Sequence, residues 1–208
     1  MPKAFRPQAV GVLALQGDFA LHQRSLELLE IRAPKIRHPA ELQKIDGLIV
    51  PGGESTTFTK MLRETGLFDA IRIFAETKPV MGTCAGLITL AARLVGKIRD
   101  GMETLGLIDI EVERNAYGRQ VDSFSGMVRF PRLKPDSEFP GVFIRAPKIR
   151  SLGKGTEAVA FRSAEQGEEP VAAVNRNVFV TTFHPELTDD TRVHRFFIES
   201  FVSRKDRG

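Results

Sequence analysis

Cys84 is the only cysteine in the chain and lies in V-M-G-T-C-A-G, from Val80 to Gly86. A short apolar stretch leads into Gly82-Thr83-Cys84, and a helical pattern leaves it. The G-x-nucleophile-x-G spacing is the form of a tight strand-to-helix turn that lifts its central side chain above a sheet. Gly82 and Gly86 leave room where a Cβ would collide with the turn or the adjacent strand. The thiol then sits at a helix N-terminus, where the dipole and free backbone N–H groups favour thiolate over thiol. A cysteine on an apolar stretch is more often a small buried hydrophobe. The paired glycines turn the reading toward a nucleophile, and a nucleophile needs a base.

A base stands far along the chain, in N-V-F-V-T-T-F-H-P-E from Asn177 to Glu186. This stretch reads as a buried strand ending at His184-Pro185-Glu186. Pro185 favours an extended His184 and fixes its own φ. Residues two apart in an extended chain point the same way, so His184 and Glu186 project from one side of the strand end. A carboxylate there holds an imidazole in one tautomer and stabilises its cation, as the third member of a triad does. His22 and His194 fall on predicted helices, and His38 precedes Pro39 in a loop; all three read as helix-face or surface residues. One cysteine and four scattered histidines offer no cluster with metal-ligand spacing, so no metal is expected.

Acyl transfer also needs backbone donors where negative charge develops on the substrate oxygen. Gly47–Val50 reads as a strand and runs into P-G-G-E-S-T-T, Pro51 to Thr57. The bare backbone of Gly52 and Gly53 admits close approach, and the N–H of Ala85, just after the nucleophile, is the expected second donor. Ser55 or Thr56 is the expected cap of the helix that follows. The turn lacks the G-K-[ST] ending of a phosphate loop, and Gly11–Gly17 does not match a dinucleotide fingerprint.

The elements that must hold these residues alternate. Strands are expected at Val10–Leu15, Ala33–Arg37, Gly47–Val50 and Val80–Gly82. Helices are expected at Phe19–Glu30, with Leu21, Leu26, Leu28 and Leu29 apolar, and at Thr57–Glu64, Leu67–Glu76 and Ala85–Val95. This order predicts a parallel sheet with helices on both faces, whose ligands bind at the C-terminal strand ends. The turn after Val50, the elbow after Met81 and the motif after Phe183 all fall there. Beyond Leu105 the texture is β-rich: Leu107–Val112, Ser125–Phe130, Gly141–Ile144, Ala158–Phe161 and Val171–Val174. Asn175-Arg176 predicts a hairpin into Asn177–Phe183, and Asp189 or Asp190 a cap for a last helix through Phe201.

At 208 residues, 42% hydrophobic, the chain fits one soluble α/β domain. It starts without an apolar leader, and no run approaches membrane-spanning length. A single cysteine suits a reducing cytoplasm. The net charge of +4 is spread along the chain, with one tyrosine and no tryptophan, which argues against a nucleic-acid patch.

G-T-C-A-G with a distant H-P-E resembles the class I, or triad, glutamine amidotransferases. Gly11–Gly17, Pro51–Thr57, Val112–Phe124 (V-E-R-N-A-Y-G-R-Q-V-D-S-F), Val142–Pro147 (V-F-I-R-A-P) and Phe183–Thr188 narrow this to the glutaminase subunits of pyridoxal 5′-phosphate synthases. The resemblance implies a three-layer sandwich with a mostly parallel central sheet, in one domain over 1–208 with its core over about 10–201. It implies that Cys84 attacks the amide of L-glutamine, His184 moves the proton and Glu186 orients His184. Gly53, Glu54, Ser55, Arg114, Ile144 and Arg145 match the family's glutamine contacts, with Gly53 and Ala85 as backbone oxyanion donors. An arginine fork suits the α-carboxylate. The ammonia is expected to pass to a separate synthase (lyase) subunit in a large hetero-oligomer, and the chain itself to hold no cofactor. One departure is Leu21 before His22, where the family commonly has Glu. A glutaminase subunit of another ammonia-channelling synthase, a cysteine peptidase on a similar sheet and a non-catalytic regulatory subunit are the competing readings.

Overall fold

The computed structural model describes residues 9–96, 102–114, 116, 123–133, 137–164 and 167–203. Its strands are β1 (Val10–Leu13), β2 (Lys35–Ile36), β3 (Gly47–Val50), β4 (Val80–Thr83), β5 (Ala91–Val95), β6 (Ile108–Glu113), β7 (Ser123–Arg129), β8 (Glu138–Ile144), β9 (Lys148–Leu152), β10 (Glu157–Ala164), β11 (Gly167–Val174) and β12 (Val178–Thr181). Its α-helices are α1 (Phe19–Leu28), α2 (Ser55–Glu64), α3 (Leu67–Thr77), α4 (Ala85–Leu90) and α5 (Arg192–Phe197). One sheet has nine strands in the order β2-β1-β3-β4-β12-β11-β10-β7-β8, and a second has three, β5-β6-β9. The run from β2 to β12 is parallel, and every pairing beyond β12 is antiparallel. The expected parallel sheet is therefore one half of a mixed one.

Alternation along the parallel strands builds two cores. Leu48, Val50, Val80, Val178 and Val180 face Phe58, Leu62, Leu67 and Phe68 of α2 and α3. Ile49, Met81 and Phe179 face Leu26 of α1 and Val193, Phe196 and Phe197 of α5. Both faces are thus covered, which explains why β3, β4 and β12 are buried throughout and built almost wholly of apolar residues. Among the described residues no helix is long and apolar enough to cross a membrane.

Several expectations are corrected. The helix after Cys84 ends at Leu90, not Val95, because Ala91–Val95 pairs with β6; tertiary strand pairing overrides the helical propensity of A-A-R-L. Lys148–Leu152 is a further strand, without a hydrophobic pattern to announce it, since only Ile149 of it is buried. On α1 the buried residues are His22, Ser25 and Leu26, while Leu28 is 61% exposed, so the buried face is turned from the leucine-rich one. The final helix starts at Arg192, whose N–H donates to Asp190 Oδ1 at 3.0 Å, and continues as a wider π-type turn through Val202. The hairpin at Asn175 is present: Asn175 Oδ1 accepts from the N–H groups of Asn177 and Val178 at 3.0 and 2.7 Å. Within the Val112–Phe124 motif, residues 115 and 117–122 lie outside the described residues.

Candidate active site

β4 delivers Cys84 into a sharp turn with φ 49° and ψ −104°. A non-glycine residue at such a positive φ costs about 1–3 kcal/mol and persists only where surrounding structure over-determines it. Here the Cys84 N–H donates to Thr181 O at 2.9 Å, tying the elbow to β12. A Cβ on Gly86 would run into the Val50 carbonyl, and one on Gly82 would sit 2.7 Å from Leu90 Cδ1. Both glycines are therefore demanded by close packing, as the motif predicts.

β12 ends at Thr181, short of the expected strand end, and Pro185–Leu187 is a 3₁₀ turn instead of extended chain. His184 is extended, and its N–H donates to Val142 O at 2.8 Å, which draws β8 across the strand ends. His184 Nδ1–H donates to Glu186 Oε1 at 2.7 Å. A Cβ on Gly52 would lie 2.5 Å from His184 Cε1 and 3.5 Å from Cys84 Cβ, so the Pro51–Gly53 turn lies against both residues. From the other side Ile144 O sits 3.7 Å from Cys84 Sγ, within reach of a weak thiol donor. Two strained non-glycine residues border this point, Cys84 and Arg145, the latter with φ 44°.

Cys84, His184 and Glu186 are each less than a tenth exposed. Burial opposes a charge on His184, yet its contacts with the Cys84 sulfur and the Glu186 carboxylate outweigh that and raise the imidazole to about 10. Burial likewise opposes a charge on Glu186, and His22 and His184 reverse it, bringing the carboxyl down to about 2. A thiol, an imidazole and a carboxylate meet here, the first two in contact and the last two hydrogen-bonded. A thiol held this way can attack a carbonyl or amide carbon.

His22 and His194 are not on the surface, contrary to expectation; both are fully buried. His22 Nε2 lies 3.4 Å from Glu186 Oε2 and 3.2 Å from Thr83 Oγ1, and His22 Nδ1 lies 2.9 Å from His194 Nε2. The helical periodicity around His22 gave the wrong face, and a contact across 172 positions leaves no local signal. His38 is as read, its N–H donating to Glu41 Oε2 at 2.9 Å in a surface turn.

The Pro51–Thr57 loop is held at its second half by Glu54. Glu54, not Ser55 or Thr56, caps α2: its carboxylate accepts from Thr56 N at 3.3 Å and Thr57 N at 2.7 Å. The Thr57 hydroxyl, with these N–H groups, holds that carboxyl at about 2 against modest burial. Gln16, unread in the sequence, donates from Nε2 to Glu54 O at 2.7 Å and packs beside Gly53, whose φ is 149°. Arg114 Nη2 lies 4.0 Å from Glu54 Oε1, and its side chain is mostly buried. Ser55 is buried in the first turn of α2, and Ala85 is the first residue of α4. The first N–H groups of a helix lack intrahelical acceptors, so that of Ala85 is available to a ligand. Gly53, Glu54 and Ser55 are thus consecutive in this loop, with Arg114 beside Glu54, while the Ile144 carbonyl meets Cys84 and Arg145 follows it at the end of β8.

Residues 12–203 match the SNO glutamine amidotransferase family. The chain is 49% identical over 193 residues to the pyridoxal 5′-phosphate synthase subunit PdxT of Solibacter usitatus, covering 91% of this chain and 97% of that protein. The PdxT subunit of Thermus thermophilus is 47% identical, with 91% and 96% covered. A crystal structure of a glutamine amidotransferase superposes with a TM-score of 0.84 at 44% identity, over 94% of this chain and 98% of that one. The PurLQS structure from Thermotoga maritima shares the fold at a TM-score of 0.67 and 14% identity, over 94% of this chain and 99% of that one. The chain belongs to the SNO glutamine amidotransferase family.

Proposed function

We propose that this chain hydrolyses the side-chain amide of L-glutamine and passes the ammonia to the synthase subunit of a pyridoxal 5′-phosphate synthase. The observation that carries the chemistry is the packing of one glycine turn, Pro51–Gly53, against both Cys84 and a His184 that is hydrogen-bonded to Glu186 at 2.7 Å. The route to the synthase rests on kinship with PdxT subunits.

His184 takes the thiol proton to give the thiolate–imidazolium pair that its raised pKa favours, and Cys84 Sγ then attacks the amide carbon. The oxyanion is met by the N–H groups of Gly53 and Ala85. The intermediate collapses to a glutamyl thioester as His184 returns the proton to departing ammonia. Water, deprotonated by His184, then cleaves the thioester to glutamate and restores the thiol. Glu186 keeps the imidazole in the working tautomer throughout. Arg114 and Arg145 are the cations for the substrate α-carboxylate, and Gly53, Glu54, Ser55 and Ile144 frame the rest. Residues 1–208 act as one amidotransferase domain in the cytoplasm, within a large hetero-oligomer, with no nucleic-acid or membrane partner.

The test is ammonia release from glutamine with and without the synthase subunit, against Cys84→Ala. Release that rises with the partner and vanishes in the variant is expected. Wild-type release indifferent to that subunit would point to another ammonia-consuming synthase. No release from a folded chain in either condition would overturn the glutaminase reading.

A further inference from the structure

Glu186 has two oxygens, and the triad uses one of them. Oε1 accepts from His184; Oε2 is buried without a hydrogen-bond partner, and His22 Nε2, which hydrogen-bonds Thr83 Oγ1 at 3.2 Å, lies 3.4 Å from it. The chain from there runs through His22 Nδ1 to His194 Nε2 at 2.9 Å. It therefore joins the carboxylate to α1 and α5, which pack on one face of the parallel sheet.

We propose that His22, itself fixed by His194, is a positioning residue for the triad: its Nε2–H donates to the outer oxygen of Glu186 and locks the carboxylate that orients His184. This deepens the glutaminase reading and rests on it.

Proton bookkeeping selects this arrangement. A neutral imidazole has one N–H and one acceptor nitrogen. With the proton on His22 Nε2, the ring donates toward Glu186 Oε2 and Thr83 Oγ1, and Nδ1 accepts from His194 Nε2–H. His194 Nδ1, which has no hydrogen-bond partner, is then a bare acceptor. The opposite tautomers would aim a His22 lone pair at a carboxylate and bury a His194 N–H without an acceptor, and an orphaned buried N–H is the costlier defect. Burial disfavours a charge on both rings, lowering His22 and bringing His194 to about 3. The groups facing His22 are Glu186, His184 and Asp18, and those facing His194 are His22, Glu186 and Asp190. Among the described residues no His, Cys, Asp or Glu group is arranged to hold a metal, so the contact is not a vacant ligand set.

The test uses the full chain with the synthase subunit, following glutamine-dependent ammonia release across pH. His22→Leu is expected to lower kcat about 10- to 100-fold, well short of the roughly 10⁴-fold cost of removing the charge of a triad's own carboxylate. KM for glutamine stays unchanged. The acid limb of kcat/KM moves to higher pH, because Glu186 without its donor takes up a proton more readily. A glutamine amide nitrogen reaches the imidazole Nε2 position and an asparagine one only Nδ1. His22→Gln should therefore recover most of kcat and the acid limb, and His22→Asn should not. If His22→Leu is unfolded by circular dichroism, the contrast between Gln and Asn decides. Equal losses in Gln and Asn with an unmoved acid limb would reduce His22 to core filling and overturn the proposal. Two-bond ¹⁵N–¹H correlation on the wild-type chain gives a second readout, with His22 protonated at Nε2 and His194 at Nε2. Any other tautomer overturns the proposal. Wild-type chain that releases no ammonia would sink the glutaminase reading, and the tautomers would still decide whether His22 donates to Glu186.

Discussion

The two halves of the nine-stranded sheet each contain an acid–base pair at 2.7 Å, and the pairs differ in consequence. In the parallel half His184 and Glu186 meet in the interior, with the Glu186 side chain at 0% exposure. In the antiparallel half Arg129 binds Glu168 through both carboxylate oxygens, with side chains 40% and 54% exposed. Around the first pair the strands are buried at every position, so little screens the charge, and each hydrogen bond to it counts. Around the second, β8 alternates buried and more exposed residues, and water screens the charges. Distance alone does not tell a working ion pair from a decorative one; the surroundings do.

That contrast can be tested from both ends. Glu186→Gln should lower kcat by roughly 10⁴-fold with the fold intact, the cost of losing a triad's orienting charge; a loss under tenfold would make the buried pair no more consequential than the exposed one. Gly86→Ala drives a Cβ into the Val50 carbonyl, at the end of a central strand. It should cost about 3 kcal/mol of stability in urea titration, and a neutral result would mean the elbow is free to relax.

The pH dependence of stability sharpens the comparison further. His22 and His194 lie below their ordinary 6.5, and Glu186 lies at about 2 instead of 4.5. On acidification from pH 6.5 the unfolded chain takes up protons that the folded chain refuses, so stability falls. The His184 shift acts the other way: its contribution is complete below 6.5 and is lost as pH rises through about 10. The site therefore contributes most near pH 6.5, and each group changes stability by at most about 1.4 kcal/mol per pH unit. Melting temperatures from about pH 4 to about pH 10 should trace that dome, and Glu168→Gln should not alter its shape.

Two smaller effects complete the series. Arg114→Lys should raise KM for glutamine about tenfold with little change in kcat, since an ammonium cannot supply the guanidinium fork; an unchanged KM would remove Arg114 from the substrate site. Glu168→Gln should cost under about 1 kcal/mol in thermal melts and leave glutamine turnover unchanged.

The same division decides what was legible in the sequence. Gly47–Val50 reads as a strand because both its faces are covered, and it matches the structure at both ends. The elbow was legible because its geometry is local and set by glycines; the nearness of His184 to Glu186 was legible too, but a 3₁₀ turn at Pro185–Leu187, not extended backbone, brings the two together. The partners behind Glu186 were not legible, because α1 carries leucines on two sides and only packing decides which side turns in. Leu90 and Ala91 looked continuous for a similar reason, since β6, which ends the helix, lies beyond the intervening loop. Glu54 escaped as a cap because capping preferences favour shorter side chains; here the loop lets a longer one fold back onto Thr57.

The most direct measurement is peptide mass spectrometry after exposing the chain, with its synthase subunit, to an electrophilic glutamine analogue. One adduct on Cys84, suppressed by L-glutamine and slowed by His184→Ala, is the expected result. No adduct at Cys84, or labelling there that L-glutamine does not suppress, would contradict a glutamine-hydrolysing cysteine at this elbow.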